Sequence, residues 1–274
     1  MTVPTITLNQ GNAIPQLGFG VFKVPPDVTQ GIVEEALAAG YRHLDTAKHY
    51  QNEAEVGRAI RASGIPREQL FVTTKLWNED HRAGDIRGGY ERSLATLDIG
   101  YVDLYLIHWP LPALEKYVGA WEQLAEFKAE GLTRAIGVSN FQIAHLERII
   151  AATGVVPAVD QVELHPLFQQ RPLRAFLAGH GIAVEAWGPL GQAKFDLAQP
   201  PIAAAAAAHH KSLAQVILRW HLQSGTIVIP KASTRVHMDE NLNVFDFDLT
   251  SAEMAAIDAL DTNRRLSGDP DTTN

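Results

Sequence analysis

The run Val102-Asp-Leu-Tyr-Leu-Ile-His108 is short, largely apolar and ends on an imidazole. Two runs upstream, Tyr41-Arg-His-Leu-Asp45 and Leu70-Phe-Val-Thr-Thr-Lys75, end the same way on a carboxylate and an amine. Short apolar runs of this kind are the pattern of parallel strands buried on both faces. An ionisable group at the end of each is expensive in a core, so its place there points to chemistry. Tyr50 follows the first run by five residues and adds a phenol.

Further strand-like runs cover 18–22, 135–139, 159–163, 183–187 and 227–230, which with 42–45, 71–75 and 102–108 make eight. Helical patterns lie between them at 28–39, 53–63, 85–97, 117–130, 143–152, 173–180 and 213–223. Ser212 with Gln215, and Thr250 with Glu253, have the spacing of capping boxes. Gly40, Gly64, Gly131, Gly154, Gly181 and Gly225 follow helical stretches, where a left-handed residue is wanted. Eight alternating units predict an α/β fold, a (β/α)8 TIM barrel spanning 1–274 as one domain. Apolar runs on either side of Asn9-Gln10-Gly11-Asn12 predict an N-terminal β-hairpin cap. An extra C-terminal helix follows Thr250, and 264–274 reads as a polar tail. Residues 194–201 read as a loop and 202–210 are nearly all alanine, an insertion after the seventh strand on the side where barrels carry their sites. Gly18-Phe-Gly20 is followed by Val-Phe-Lys, with no third glycine opening a helix, so a Rossmann nucleotide fold is disfavoured.

Composition narrows the class. Lys and Arg total 23 against 31 Asp and Glu, a net charge of −8, which argues against nucleic acid or an anionic membrane as partner. The absence of cysteine excludes disulfide and thiolate chemistry, and no metal site is expected. No apolar run approaches the roughly 20 residues of a membrane span, and Met1-Thr-Val-Pro-Thr-Ile6 lacks the pattern of a secretion signal. A soluble, cytoplasmic monomer is the expectation.

In a (β/α)8 barrel, strand C-terminal ends face the catalytic mouth, so Asp45, Lys75 and His108 become neighbours there and Tyr50 reaches the same point. Asp45 pairs with Lys75, which lowers the Tyr50 pKa and makes the phenol a general acid, while His108 hydrogen-bonds a substrate oxygen. Phe22, His49, Trp77 and Trp109 are candidates to line the substrate pocket, with Lys48 and His49 adding basic character.

His43-Leu-Asp45-Thr-Ala-Lys-His-Tyr50-Gln-Asn-Glu, Thr-Thr-Lys75-Leu-Trp, Leu-Ile-His108-Trp-Pro, Ala-Ile-Gly137-Val-Ser-Asn140-Phe and Ile-Pro-Lys231 occur in order. This series resembles the aldo-keto reductases, from about residue 5 to 261. Ile14-Pro-Gln-Leu-Gly-Phe-Gly-Val-Phe-Lys-Val24 is similar to bacterial 2,5-diketo-D-gluconate reductases in particular. The resemblance implies reduction of a small-molecule carbonyl such as an aldehyde, an α-dicarbonyl or a keto-sugar acid. In it, Tyr50 is the acid, Lys75 and Asp45 tune it, and His108 orients the carbonyl. Hydride would come from NADPH. Ser139, Asn140 and Gln161 would hold its carboxamide, and Trp187 would stack on its nicotinamide. Gly188, Pro189, Leu190, Gly191 and Gln192 would approach its pyrophosphate. Lys231, Ala232, Ser233, Thr234, Arg235, His237, Glu240 and Asn241 would surround its adenosine and phosphate. Ala232 follows Lys231 where relatives have serine, and His237 stands where they have arginine, so NADH should also be usable. Two other classes fit parts of the pattern: a Schiff-base barrel using Lys75, and a non-catalytic nucleotide-binding relative.

Overall fold

The computed structural model describes residues 3–273, so Met1, Thr2 and Asn274 of the two terminal expectations lie outside the described residues. The chain opens with β1 (Thr5–Thr7) and β2 (Ala13–Pro15), an antiparallel hairpin with Ile6 opposite Ile14. Ile14 packs with Phe71, Leu104, Ala158, Val159 and Ile227, at or near the strand starts. The Gln10 side chain bonds both the N–H and the C=O of Ile136, and Asn9 donates to the Pro157 carbonyl. The hairpin thus closes the end of the barrel away from the expected site.

The barrel follows in order: β3 (Phe19–Gly20), α1 (Pro26–Ala39), β4 (His43–Asp45), α2 (Glu53–Ala62), β5 (Phe71–Leu76), α3 (Asn78–Ala83), α4 (Ile86–Leu97), β6 (Val102–Ile107), α5 (Tyr117–Glu130) and β7 (Thr133–Ser139). It continues through α6 (Ile143–Thr153), β8 (Val159–Glu163), α7 (Arg171–Gly179), β9 (Ala183–Trp187), α8 (Pro200–His209), α9 (Leu213–Gln223), β10 (Ile227–Val228), α10 (Arg235–Leu242) and α11 (Ser251–Asp258). Strands β3 to β10 form one parallel sheet in chain order. A parallel bridge between Leu17 and Val228, with Gly18 N–H donating to the Val228 carbonyl at 2.8 Å, joins its last strand to its first. Every residue of β5, β6 and β8 is buried, as a strand covered on both faces requires.

The first and last barrel strands are shorter than the sequence predicts, two residues each. Their backbones meet too closely for side chains: a Cβ on Gly20 would lie 2.8 Å from the Ile229 carbonyl oxygen. Helix α1 begins at Pro26, two residues early, because proline suits the first turn. The alanine-rich insertion is helix α8, opened by Pro200 and Pro201 and packed on α9 and α11. Helices α3 and α10, of six and eight residues, are too short for a clear periodic signal and are additions to the sequence reading. Both expected capping boxes form, and Gln142 with His145 makes a third. All six glycines marked as helix stops have positive φ.

Candidate active site

Register sets the site. Gln161 of β8 pairs with Ser139 of β7 on one side and Glu185 of β9 on the other, so three polar side chains share one level near the strand ends. Asp45 ends β4, Lys75 is the penultimate residue of β5, and His108 follows β6 directly. A short 3-10 turn over Lys48–Tyr50 brings the phenol back across β4.

Lys75 is the centre of the cluster and is fully buried. Its Nζ donates to both Asp45 oxygens at 2.7 and 2.9 Å, to the Thr46 carbonyl at 3.0 Å and to Tyr50 Oη at 3.1 Å. Burial pushes this ammonium down, but Asp45 and Tyr50 outweigh it and hold it above the usual lysine range. Around Tyr50 the balance falls the other way. Burial pushes the phenol up to about 12, and Lys75, pulling down, does not overcome it. The expectation that Lys75 lowers the Tyr50 pKa below its ordinary value is therefore corrected: the desolvation of the phenolate exceeds the attraction of an ammonium already shared with Asp45.

The His108 ring lies 5.9 Å from the Tyr50 ring. Burial, reinforced by Lys75 and His49, drives its pKa well below the usual value, so it is neutral at neutral pH. Its Nδ1 is buried without a hydrogen-bond partner among the described residues. Asn140, held at φ 63°, donates from Nδ2 to the His108 carbonyl at 3.0 Å and accepts the Trp187 indole N–H at 2.9 Å. Ser139 Oγ donates to the Gln161 carbonyl at 2.8 Å.

These groups open on a cleft of about 520 Å³. Asp45, Tyr50, His108, Ser139, Asn140, Gln161, Trp187, Gly188, Pro189, Leu190, Gln192 and Lys231 all line it, as do Phe22, His49, Trp77 and Trp109. His49 stacks on Trp77 with ring centroids 3.7 Å apart, and Phe22 leans on Tyr50 at 5.0 Å. Lys75 sits beneath this lining. Gly191 is buried, and a Cβ there would meet Phe195 at 2.1 Å. Ala232 and Asn241 are buried, whereas Ser233, Thr234, Arg235, His237 and Glu240 are exposed in and before α10, outside the cleft walls. Thr234 caps that helix, and Arg235 is paired with Asp239 at 2.9 Å.

Three further findings differ from the sequence reading. Lys48 does not line the cleft; its Nζ is bound to Asp80 at 2.7 Å, and burial lowers the His49 pKa, so neither lends a free charge. Lys23, exposed at the rim, does line it. The polar tail is more than a tail: Lys194 Nζ donates to the Leu266 carbonyl at 2.8 Å, and Ser267 forms part of the cleft wall. Glu185 is the functional candidate that sequence reasoning passes over. It is fully buried and bonded to Gln161, whose Nε2 also donates to Asp45, both at 2.8 Å. The signal was available: Glu185 is an ionisable residue inside the apolar run Ala183-Val-Glu185-Ala-Trp187, as Lys75 is in its own strand.

A barrel whose mouth gathers an ammonium-bound phenol and a neutral imidazole defines a class of oxidoreductase scaffold. Residues 16–262 match the aldo/keto reductase family. The chain is 49% identical over 271 residues to an aldo-keto reductase of Mycolicibacterium smegmatis, covering 99% of this chain and 98% of that one. It is 47% identical over 275 residues to the methylglyoxal reductase DkgA of Escherichia coli, covering 99% and 98%. A solved structure of a Gox0644 variant in complex with NADPH superposes with a TM-score of 0.95 at 44% identity, covering all of both chains. This chain belongs to the aldo/keto reductase family.

Proposed function

We propose that the cleft reduces the carbonyl group of a small molecule, with NADPH as the preferred hydride source and NADH usable. The observation that carries this reading is the 3.1 Å contact between Lys75 Nζ and Tyr50 Oη, opening on a cleft that His108 also faces. A phenol whose pKa is raised stays protonated at every working pH and is a proton donor rather than a base. As the proton leaves, the negative charge on Tyr50 develops 3.1 Å from a fixed ammonium, which favours the transition state over the ground state. Neutral His108 can hydrogen-bond the carbonyl oxygen without competing for that proton.

The residues fit a nicotinamide cofactor. The Trp187 face, the segment Gly188–Leu190 with Gln192, and the side chains of Ser139, Asn140 and Gln161 line one groove with polar groups at one end. When bound, the cofactor supplies hydride to the carbonyl carbon. Ser139, Asn140 and Gln161 would hold its amide end, and Lys231 its phosphate side. The NADPH complex of the similar Gox0644 variant supports this assignment. A Schiff-base role for Lys75 is disfavoured, because its ammonium is fully buried and its hydrogens are committed to Asp45, Thr46 and Tyr50.

For substrate we propose methylglyoxal and related α-dicarbonyls, small aldehydes and keto-sugar acids such as 2,5-diketo-D-gluconate. The likeness to methylglyoxal reductase DkgA supports the first. Phe22, Trp77 and Trp109 offer apolar walls, and Lys23 supplies a cation at the rim for an acidic substrate. We further propose a cytoplasmic monomer: among the described residues no helix is long and apolar enough to cross a membrane, and only Val28 and Val236 are large exposed hydrophobics. The test is oxidation of NADPH and of NADH followed by absorbance with these substrates in turn. Turnover of methylglyoxal is the expected result. Borohydride trapping of Lys75 without cofactor oxidation, or cofactor binding with no turnover of any of them, would overturn the reading.

A further inference from the structure

We propose that Glu185 is a positioning residue for the reduction: it rests as a neutral carboxylic acid behind Asp45, and its ionisation disables Tyr50 as an acid. The inference rests on the reading of Tyr50 as the proton donor.

The argument begins with charge. Two buried carboxyl groups bridged by Gln161, Asp45 and Glu185, lie beside one buried ammonium, Lys75, with buried Glu53 at longer range. The ammonium is fully engaged with Asp45, Thr46 and Tyr50, and it acts on Glu185 only through electrostatics, without a hydrogen bond among the described residues. Glu185 ionised would be an uncompensated charge with no exposure to water, the most expensive state a buried group can adopt.

Hydrogen bonding leads to the same protonation state. Among the described residues, the polar and charged groups that bear on Glu185 come from β4, β5, β8 and the turn that carries Tyr50. From β8, Gln161 Nε2 donates to Oε2 at 2.8 Å. From β4, His43 Nε2 faces Oε1 at 3.5 Å, and Asp45 lies across Gln161. Lys75 of β5 and the Tyr50 phenol lie within electrostatic reach, and from β10 the residue in register is apolar Ile227. His43 Nδ1 lies 3.3 Å from the Pro15 carbonyl, which can only accept, so the ring hydrogen belongs on Nδ1. Burial drives this imidazole down to about 3, with Pro15 opposing and Lys75 assisting, so Nε2 carries a bare lone pair. Among the described residues, neither His43 Nε2 nor Glu185 Oε1 has a hydrogen-bond partner. Two lone pairs would confront one another there unless Glu185 holds a proton on Oε1. With that proton Glu185 turns a donor rather than a second lone pair toward His43 Nε2, 3.5 Å away, while Gln161 bridges it to Asp45. Burial, with Asp45 adding and Gln161 and Lys75 opposing, holds the Glu185 carboxyl well above the usual carboxylate range.

The consequence follows from sign. While Glu185 is neutral, Asp45 stands alone against the Lys75 ammonium within this hydrogen-bonded chain. Once Glu185 ionises a further negative charge enters, which opposes the charge that Tyr50 must take on as it gives up its proton. Carbonyl reduction should therefore fall on the alkaline side while Tyr50 itself is still protonated.

Two measurements test this. Carbon-13 NMR of the glutamate carboxyl carbons in the unaltered protein, with the Glu185 signal assigned through its contact with the Gln161 amide, should show a neutral acid at pH 6 that titrates above neutrality. An ionised signal throughout overturns the proposal without reference to activity. The second is the pH profile of kcat for methylglyoxal reduction in Glu185→Gln, which keeps the neutral form at every pH. Wild-type turnover should drop about fivefold or more between pH 7 and 9, and that of the variant by less than about twofold. Equal profiles in the two proteins overturn the positioning role. Absence of turnover in wild type at every pH would instead strike the reductase reading, and the NMR measurement would still decide the state of Glu185.

Discussion

Lys75 Nζ lies 3.1 Å from Tyr50 Oη while gripping both oxygens of Asp45 at 2.7 and 2.9 Å. On the proposed reading one ammonium serves two groups, the Asp45 carboxylate at rest and the Tyr50 phenolate as the phenol gives up its proton. Asp45 fixes the lysine in place, so the proposed proton transfer needs no reorganisation of the ammonium.

Tyr50→Phe removes the donor and leaves the ring that packs on Phe22. Turnover of methylglyoxal should fall by about 10²- to 10⁴-fold, the usual range for a general acid. Affinity for NADPH should stay within about twofold, because no cofactor contact is assigned to that hydroxyl. Steady-state kinetics with fluorescence titration of the cofactor measures both. Near wild-type turnover in folded protein would falsify the assignment.

Lys75→Met should also abolish turnover, but it has a second effect that must be separated. It leaves Asp45 as a buried carboxylate with no cation, a change that typically costs about 3–5 kcal/mol. Stability in urea should fall by that order. The double change Lys75→Met with Asp45→Asn should restore most of the stability and none of the activity. Recovery of activity in the double variant would mean that the ammonium does not act on Tyr50.

The barrel and the candidate cluster were legible because parallel strands buried on both faces read as apolar runs, and Asp45, Lys75 and His108 interrupt that pattern at its ends. Glu185 breaks the same pattern but is followed two residues later by Trp187, which has the more obvious role. The free energy of the cluster was not legible. Sequence order shows that Lys75 stands near Tyr50, but only the structure shows that burial outweighs it and holds the phenol at about 12. Nor could pattern reveal that Lys48 is neutralised by Asp80, since α3, which carries Asp80, is only six residues long. The part played by 264–273 was hidden for a related reason: a polar segment of Gly, Pro and Asp reads as tail whether or not it folds back over a cleft.

Two glycines give opposite predictions for stability. A Cβ on Gly57 would lie 1.9 Å from the Leu97 carbonyl oxygen, where α2 crosses the end of α4. Backbone cannot swing aside as a side chain can, so Gly57→Ala should destabilise by about 3 kcal/mol. Gly31, in exposed helical position within α1, has nothing within 4 Å of its Cβ site. Gly31→Ala should stabilise by about 0.5–1 kcal/mol through helix propensity. Urea midpoints at constant m-value give both signs, and a stable Gly57→Ala protein would mean that α2 and α4 can separate without loss.

The last prediction concerns the cofactor. Arg235 can pair a 2′-phosphate with two parallel hydrogen bonds, yet its Nε is bound to both oxygens of Asp239 one turn along α10. That pair is half exposed on both sides, so holding it together is worth only a little, roughly 0.2–1 kcal/mol. Phosphate binding must compete with it. Asp239→Asn should therefore tighten NADPH by about two- to fivefold and leave NADH unchanged. Arg235→Ala should weaken NADPH by about tenfold, the lower end for a charge-assisted bond at an exposed site, again without effect on NADH. Dissociation constants for both cofactors with both variants are the measurement. Equal weakening of NADH and NADPH by Arg235→Ala would mean that the arginine supports the adenosine pocket as a whole. No response to either substitution would leave Lys231, at the cleft wall, as the residue that reads the phosphate.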